Sequence, residues 1–183
     1  MTLQHPEFVV ESCRLAGLHR AGAMAMADYQ TRNREQLRAS MPARDEAFYT
    51  PDWWQARIDA YPGEFAAQRA LRLVLLDADR VVGTITLDGI QRGALQSAYL
   101  GYGIDAGHEG RGLMTQALPH AIDIAFTTFG LHRISANHVP GNVRSERLLA
   151  RLGFQREGFA HSYLRLDGVW RDHVLNSLVN PHD

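Results

Sequence analysis

A glycine-rich segment, Gly107-His108-Glu109-Gly110-Arg111-Gly112, comes directly before an apolar stretch with helical spacing. Glycines at the start of a helix leave the first backbone N–H groups open to a ligand, and these donors bind phosphate oxygens with the help of the helix dipole. The same glycines are also typical of a tight turn that binds nothing. From these residues alone, phosphate binding and a purely structural turn both remain open.

A second glycine pattern lies just upstream, where Gly101, Gly103 and Ala106 match the letters of the dinucleotide-binding fingerprint. In that fingerprint the glycines follow a strand, whereas Gly101 and Gly103 fall inside the strand predicted over 98–105. The sequence also predicts only one strand–helix–strand unit, and a dinucleotide-binding half needs more. We therefore expect a phosphate-binding loop of a different kind, between one strand and one buried helix.

The composition excludes several other chemistries. All 19 basic residues among the 183 are arginine. Without lysine the chain has neither the phosphate-binding Lys of a Walker P-loop nor an amine for Schiff-base chemistry. Cys13 is the single cysteine, so no intrachain disulfide forms, and a reducing compartment is expected. The nine histidines never recur at i, i+4 in a predicted helix, so we expect no metal site.

Charge and hydropathy predict a cytoplasmic protein of one domain. The net charge of −1 argues against direct binding of nucleic acid and against a polybasic membrane anchor. No apolar run approaches the ~18 residues needed to cross a bilayer. The first ten residues, MTLQHPEFVV, lack the pattern of a secretory signal.

Periodicity predicts the elements that must position the glycine loop. Before the loop we expect a strand over 8–17, helices over 19–33 and 51–70, a hairpin over 71–76 and 81–87, and a strand over 98–105. Asp52 is expected to cap the second helix, and at least one of Trp53 and Trp54 to be buried. After the loop we expect a helix over 113–129, bent at Pro119, a strand over 132–139, a helix over 142–152 capped by Asn142, and a hairpin over 154–166 and 169–179.

This order predicts an α+β fold in a single domain over 1–183. The strand at 98–105, the helix at 113–129 and the strand at 132–139 form one βαβ unit, whose strands should be parallel. The remaining strands should be antiparallel, which gives a mixed sheet flanked by helices.

Three motifs together resemble one known family, the GCN5-related N-acetyltransferases (GNAT). The loop 107–112 is similar to the family's pyrophosphate loop, although Gly107 stands where the family has Gln or Arg. The segment Asn137–Ser145, with Leu148–Phe154 after it, resembles the RimJ/RimL type of ribosomal-protein N-terminal acetyltransferase. The segment Asp167–Leu175 is most similar to the RimJ branch. The resemblance is close over 97–180 and loose before that.

The resemblance implies acetyl-CoA as co-substrate, with the sheet core and its site in about 71–180 and the acceptor side in about 1–70. A backbone N–H of the strand at 102–104 would stabilise the oxyanion. The residues that the resemblance assigns to acetyl-CoA are Tyr102, Gly103, Ile104, Glu109, Gly110, Arg111, Gly112, Leu113, Met114 and Asn142.

The resemblance also implies that Ser145 donates to the leaving sulfur, although a hydroxyl in the first helical turn is equally typical of a capping residue. Many relatives carry a catalytic Tyr where Leu149 stands here, and RimL-type enzymes carry a Glu where Leu164 stands. His138 is then the candidate base or water-holding residue, against the alternative of a surface or purely structural histidine.

The acceptor is expected to be a protein N-terminus that begins with Ala or Ser. The cleft that binds it is expected to be lined by Asn137, Trp170 and Asp172. An α-amine is ~30% neutral at pH 7.4, whereas a lysine amine is ~0.1% neutral. A chain without an obvious strong base therefore suits an α-amine. A small amine as acceptor and a non-catalytic acyl-CoA-binding module remain as alternatives. We expect a monomer or a homodimer.

Overall fold

The structure is a computed structural model that describes residues 7–183. Residues 1–6, which belong to the ten-residue segment in which no secretory signal was expected, lie outside that range. The strands are β1 (Glu7–Val10), β2 (Cys13–Gly17), β3 (Leu71–Asp77), β4 (Arg80–Gln91), β5 (Ser97–Ile104), β6 (Arg133–Ser135), β7 (Gln155–Leu166) and β8 (Val169–Val179). The α-helices are α1 (Ala23–Arg32), α2 (Arg34–Arg38), α3 (Pro51–Ala66), α4 (Leu113–Asp123) and α5 (Val143–Arg151).

The eight strands form one sheet in the order β1-β2-β3-β4-β5-β6-β8-β7. β5 and β6 pair in parallel, with α4 between them along the chain. Every other neighbouring pair is antiparallel. The predicted α+β fold with one parallel βαβ unit is therefore confirmed.

The N-terminal third differs from the sequence prediction. The single strand predicted over 8–17 is a hairpin, because the chain reverses at Glu11, whose φ of 55° is left-handed. The helix predicted over 19–33 begins only at Ala23, after a short 3-10 turn at Leu18–Arg20. Thr50, not Asp52, caps α3, and its hydroxyl accepts from the Trp53 N–H at 3.4 Å.

The helix predicted over 113–129 consists of two parts. α4 ends at Asp123, and a π-helical turn continues over Ile124–Thr128. The apolar stretch packs into the core through Leu113, Ala117 and Ala121, which are all buried. Pro119 lies inside α4, and the bend expected there stays a prediction.

The strand predicted over 132–139 is much shorter than expected. β6 pairs with β5 only from Ser97 opposite Arg133 to Tyr99 opposite Ser135. Beyond this point the chain keeps a single bridge, from His138 to Val174 of β8. β5 thus continues for five residues, Leu100–Ile104, without pairing to β6.

One hydrophobic core underlies the sheet. It extends from Val10 to Phe154 and contains the fully buried rings of Tyr29, Tyr61, Phe65 and Phe129. The C-terminal hairpin turns at Asp167 and Gly168, whose φ values of 46° and 78° confirm the predicted Asp-Gly turn. No helix in the described part of the chain is long and apolar enough to cross a membrane.

Candidate active site

A cavity of about 1320 Å³ opens where β5 and β6 separate. The start of α4 and the first turns of α5 form one side of it, and residues of α1, α2 and α3 form the other. The short length of β6 is what creates this opening, because a longer parallel strand would fill it.

The part of β5 that does not pair with β6 presents main-chain groups to the cavity. The N–H of Asp105, directly after β5, donates to the carbonyl of Val82 in β4 at 2.7 Å. Since N–H groups alternate in direction along a strand, those of Tyr102 and Ile104 point away from β4 and into the gap. The Ile104 carbonyl accepts from the Gln36 side chain at 3.3 Å on that side. These donors can bind an extended ligand or stabilise an oxyanion.

The glycine loop is built for backbone donation. Gly110 and Gly112 have φ values of 75° and 77°, a conformation that favours glycine. A Cβ at either position would meet no other heavy atom within 4 Å, so their backbone conformation, and not packing, requires glycine. Gly112 caps α4 without any side-chain hydrogen bond, which leaves the N–H groups of Leu113 and Met114 open to a ligand.

Asp105 holds the loop in place. The residue is 6% exposed, and its carboxylate accepts from the Gly107 N–H at 3.1 Å and pairs with Nε of Arg32 at 2.7 Å. Burial alone would raise the pKa of Asp105, but the Arg32 and Gly107 donors outweigh it and the pKa lies below its usual value. Gly107, which departs from the family's Gln or Arg, thus serves the turn.

Charged side chains connect the loop to the neighbouring helices. Glu109 accepts from the Gln36 amide at 2.7 Å and forms an ion pair with Arg144 of α5. Arg147 and Arg151 also line the cavity from α5. Arg111, which was assigned to acetyl-CoA, does not line the cavity.

Ser145 occupies the first turn of α5, and its hydroxyl faces β5. The predicted cap is Asn142, whose Oδ1 accepts from the Ser145 N–H at 3.1 Å. The Ser145 hydroxyl instead lies 2.5 Å from the phenol of Tyr102. Burial raises the pKa of Tyr102, and the hydrogen bond to Ser145 offsets this only in part. Leu149, where relatives carry a Tyr, is buried in the core.

His138 lies at the bridge to β8, is 5% exposed and lines the cavity. Its Nδ1 lies 3.0 Å from the carbonyl of Val139, which can only accept, so the proton is on Nδ1. The lone pair is then on Nε2, a buried atom with no hydrogen-bond partner among residues 7–183. A neutral imidazole in this state can accept a proton or hold a water molecule.

Of the three residues predicted to bind the acceptor, one lines the cavity. Asn137 lines the cavity, but its side chain contacts the Tyr163 hydroxyl at 3.2 Å and the Asn176 N–H at 3.1 Å. Trp170 is 59% exposed on β8, and Asp172 accepts from the Ser162 N–H at 2.8 Å. Neither of these two residues lines the cavity, so their role in acceptor binding stays a prediction.

Aromatic side chains form the opposite wall, and the sequence pattern did not single them out as site residues. The guanidinium of Arg57 lies 4.7 Å from the ring of Trp53, and that of Arg44 lies 4.9 Å from the ring of Phe48. Trp54 is buried, as expected for one of the two tryptophans, and its indole N–H donates to the Phe48 carbonyl at 2.8 Å. The adjacent tryptophans were the only local signal.

The site fits a long anionic co-substrate such as acetyl-CoA. Open N–H groups at the start of α4 suit a pyrophosphate, and the gap beside β5 suits an extended arm with amide groups. A hydroxyl and an imidazole with a free lone pair lie on the same cavity. No group of three potential metal ligands occurs among the described residues.

Comparison with known proteins gives consistent matches. The family model described as an acetyltransferase (GNAT) domain matches residues 16–155. The chain is 43% identical over 167 residues to the ribosomal protein uS5-alanine N-acetyltransferase of Escherichia coli strain K12, which covers 90% of this chain and 86% of that one.

Two solved structures are also similar. A ribosomal-protein-S5-alanine acetyltransferase from Vibrio fischeri has a TM-score of 0.91 at 33% identity and covers 96% of this chain and 97% of its own. RimJ of Mycobacterium smegmatis in complex with CoA-disulfide has a TM-score of 0.85 at 29% identity. The match covers 97% of this chain and 88% of the RimJ chain.

Proposed function

The chain belongs to the GNAT acetyltransferase family, and from this premise we propose that it acetylates the α-amine of a ribosomal protein, with alanine as the preferred first residue. Acetyl-CoA is the co-substrate. The observation that carries the proposal is the gap beside β5, which adjoins the open N–H groups of α4 within one cavity. The names of the Escherichia coli and Vibrio fischeri relatives support the acceptor.

In this proposal each part of the cavity has one task. The N–H groups of Leu113 and Met114 hold the pyrophosphate, and those of Tyr102 and Ile104 lie along the pantetheine arm and the thioester. The acceptor amine attacks the thioester carbon, the C–N bond forms, and the oxyanion accepts hydrogen bonds from β5. The loss of an oxyanion donor typically costs about 2.7–4 kcal/mol, which makes this contribution large.

Two side chains complete the reaction. As the C–S bond breaks, the sulfur takes the electron pair, and the Ser145 hydroxyl donates a hydrogen bond to the developing thiolate. Nε2 of His138, which has a free lone pair, accepts the proton that the amine loses. Both residues line the cavity.

The two carboxylates that line the cavity, those of Asp88 and Glu109, are each paired with an arginine, which favours an α-amine as acceptor. Deprotonating an α-amine at pH 7.4 costs under ~1 kcal/mol, whereas a lysine amine costs ~4 kcal/mol. A ribosomal-protein acceptor implies a cytoplasmic enzyme that reads a protein terminus and does not contact nucleic acid directly. It works as a monomer or a homodimer.

An acceptor screen tests this function. Release of the coenzyme A thiol is measured with four acceptors: a peptide that begins with Ala, the same peptide beginning with Ser, its N-acetylated form with an internal Lys, and spermidine. We expect the Ala and Ser peptides to react fastest. Faster reaction of spermidine would favour a small-amine acetyltransferase. Comparable rates on the internal Lys would reveal a strong base. If no acceptor releases the thiol, the protein is an acyl-CoA-binding module without turnover.

A further inference from the structure

The Tyr102 phenol makes a contact that its assignment as a backbone contact of acetyl-CoA does not include. Its hydroxyl lies 2.5 Å from Oγ of Ser145, which is 43 positions away in the chain. Tyr102 lies in the part of β5 that does not pair with β6, and Ser145 lies in the first turn of α5, so the contact joins two elements that both line the cavity. This contact bears on the direction in which Ser145 donates.

A serine hydroxyl carries one hydrogen and rotates to suit its neighbours. If Ser145 donates to Tyr102, that hydrogen is used and cannot reach a sulfur atom in the cavity. If Tyr102 donates to Ser145, the serine hydrogen is free to point into the cavity. The two arrangements differ only in which hydroxyl is the donor, and they have opposite consequences for the leaving group.

The surroundings of the pair favour donation by tyrosine once a thiolate develops. Burial raises the pKa of Tyr102, so the phenol is protonated at neutral pH and has a hydrogen to donate. Among residues 7–183, Ser145 is the one hydrogen-bond partner found for the Tyr102 hydroxyl. A sulfur that gains negative charge attracts the serine hydrogen, and Oγ then accepts more strongly from the phenol.

We propose that Tyr102 is a positioning residue, whose phenol donates to Ser145 Oγ and thereby directs the serine hydrogen toward the leaving sulfur. This inference rests on the proposed function, in which Ser145 stabilises the thiolate. It adds no covalent step: the C–S bond breaks as before, the electron pair goes to sulfur, and both hydroxyls keep their protons. The phenol acts through Ser145 and does not touch the reacting atoms.

A double-mutant cycle tests the proposal, with the acceptor that wild-type enzyme uses best. Tyr102→Phe removes the hydroxyl and keeps the ring. We expect kcat to fall about tenfold, the value of one hydrogen bond, with little change in KM for acetyl-CoA, since the thiolate forms only as the intermediate collapses. In the Ser145→Ala background, the same substitution should have no further effect.

The control is Tyr99→Phe, which removes a hydroxyl from the same strand three residues earlier and should leave kcat unchanged. Equal kcat for Tyr102→Phe and wild type, or multiplicative losses in the double variant, would overturn the inference while the acetyltransferase activity stands. No thiol release by wild-type enzyme would overturn the proposed function, and the inference with it. If Tyr102→Phe melts below the assay temperature, Tyr102→Met enters the same cycle in its place.

Discussion

Gly112 meets two demands at a single residue, a left-handed backbone and an unobstructed N–H face at the start of α4. Gly112→Asp introduces a side chain and a negative charge at the proposed pyrophosphate site. We expect this variant to lose measurable acetyl-CoA binding by isothermal titration. Gly168→Asp is the matched control, because Gly168 has nearly the same φ of 78° but lies in the β7–β8 turn. Loss of binding in both variants would point to backbone strain instead of charge.

His138 is the second residue whose role a single substitution can decide. His138→Leu removes the Nε2 acceptor and keeps a similar volume at a buried position. We expect kcat/KM for the acceptor peptide to fall by about 10²-fold, the lower end for a lost general base, while acetyl-CoA affinity changes little. His132→Leu, whose imidazole pairs with Asp183 at the surface, should retain full activity. Near wild-type rates for His138→Leu would leave deprotonation of the amine to water.

At this scale, local chemistry was predictable and distant contacts were not. Asn142 and Gly112 could be identified because a cap and a left-handed turn depend on neighbouring residues. The contact of Tyr102 with Ser145 depends on how far α5 approaches β5, which no spacing in the sequence encodes. Trp170 and Asp172 of the last strand were expected to line the acceptor cleft, and the structure places both outside the cavity lining.

Between elements, Asp105 joins α1 to the loop before α4 through Arg32. Because its folded pKa lies below the ordinary value of ~3.9, Asp105 stabilises the fold above that value, and this contribution is lost as the pH falls through the folded pKa. Arg32→Gln should therefore lower the free energy of unfolding by about 2 kcal/mol at neutral pH, and by less below pH ~4.

Urea denaturation of wild type and Arg32→Gln across this pH range measures the effect. Arg20→Gln, which removes an exposed ion pair with Glu7, is the control and should leave the pH dependence of stability unchanged. If the free energies of unfolding of wild type and Arg32→Gln differ by the same amount at pH 7 and at pH 3, the ionisation of Asp105 does not contribute to the effect.

The arginines of α5 give a second prediction at the scale of elements. Arg147 and Arg151 line the cavity one helical turn apart, beside the start of α4. The double variant Arg147→Ala/Arg151→Ala should raise the Kd for coenzyme A about tenfold, because charge-assisted hydrogen bonds to phosphate are worth about 1.5–3 kcal/mol when well formed and less when exposed. Arg156→Ala on β7 is the control. Unchanged affinity would make these residues an ordinary solvated helix face.

The elements differ in how far sequence determines them. The Asp167-Gly168 hairpin was predictable because its turn residues set the register locally. The strand over 132–139 was predicted too long, because its apolar pattern continues while pairing with β5 stops at Ser135. The helix over 19–33 was placed too early, since residues 18–20 have helical composition but form only a 3-10 turn. Such endings depend on packing between elements.

For the whole molecule, one sheet and one core predict a single cooperative unfolding transition. The sequence interpretation separated an acceptor side in about 1–70 from a core in about 71–180, yet β2 pairs directly with β3 and joins the two. Scanning calorimetry should give equal calorimetric and van't Hoff enthalpies. Acetyl-CoA at 100 times its Kd should raise Tm by about 5 to 10 °C. Two transitions, only one of them shifted by ligand, would show that the parts unfold separately.

The gap beside β5 has a consequence for how such a protein tolerates mutational drift. Its donors are main-chain N–H groups, and the exchange of one side chain for another leaves them in place. Of the twenty residue types, only proline would delete the donor at Tyr102 or Ile104. The gap is therefore robust to nearly all point substitutions, whereas the phenol of Tyr102 is lost in a single one. Over long divergence, thioester binding should outlast the fine control of its leaving group, so that descendants lose turnover before they lose the ligand.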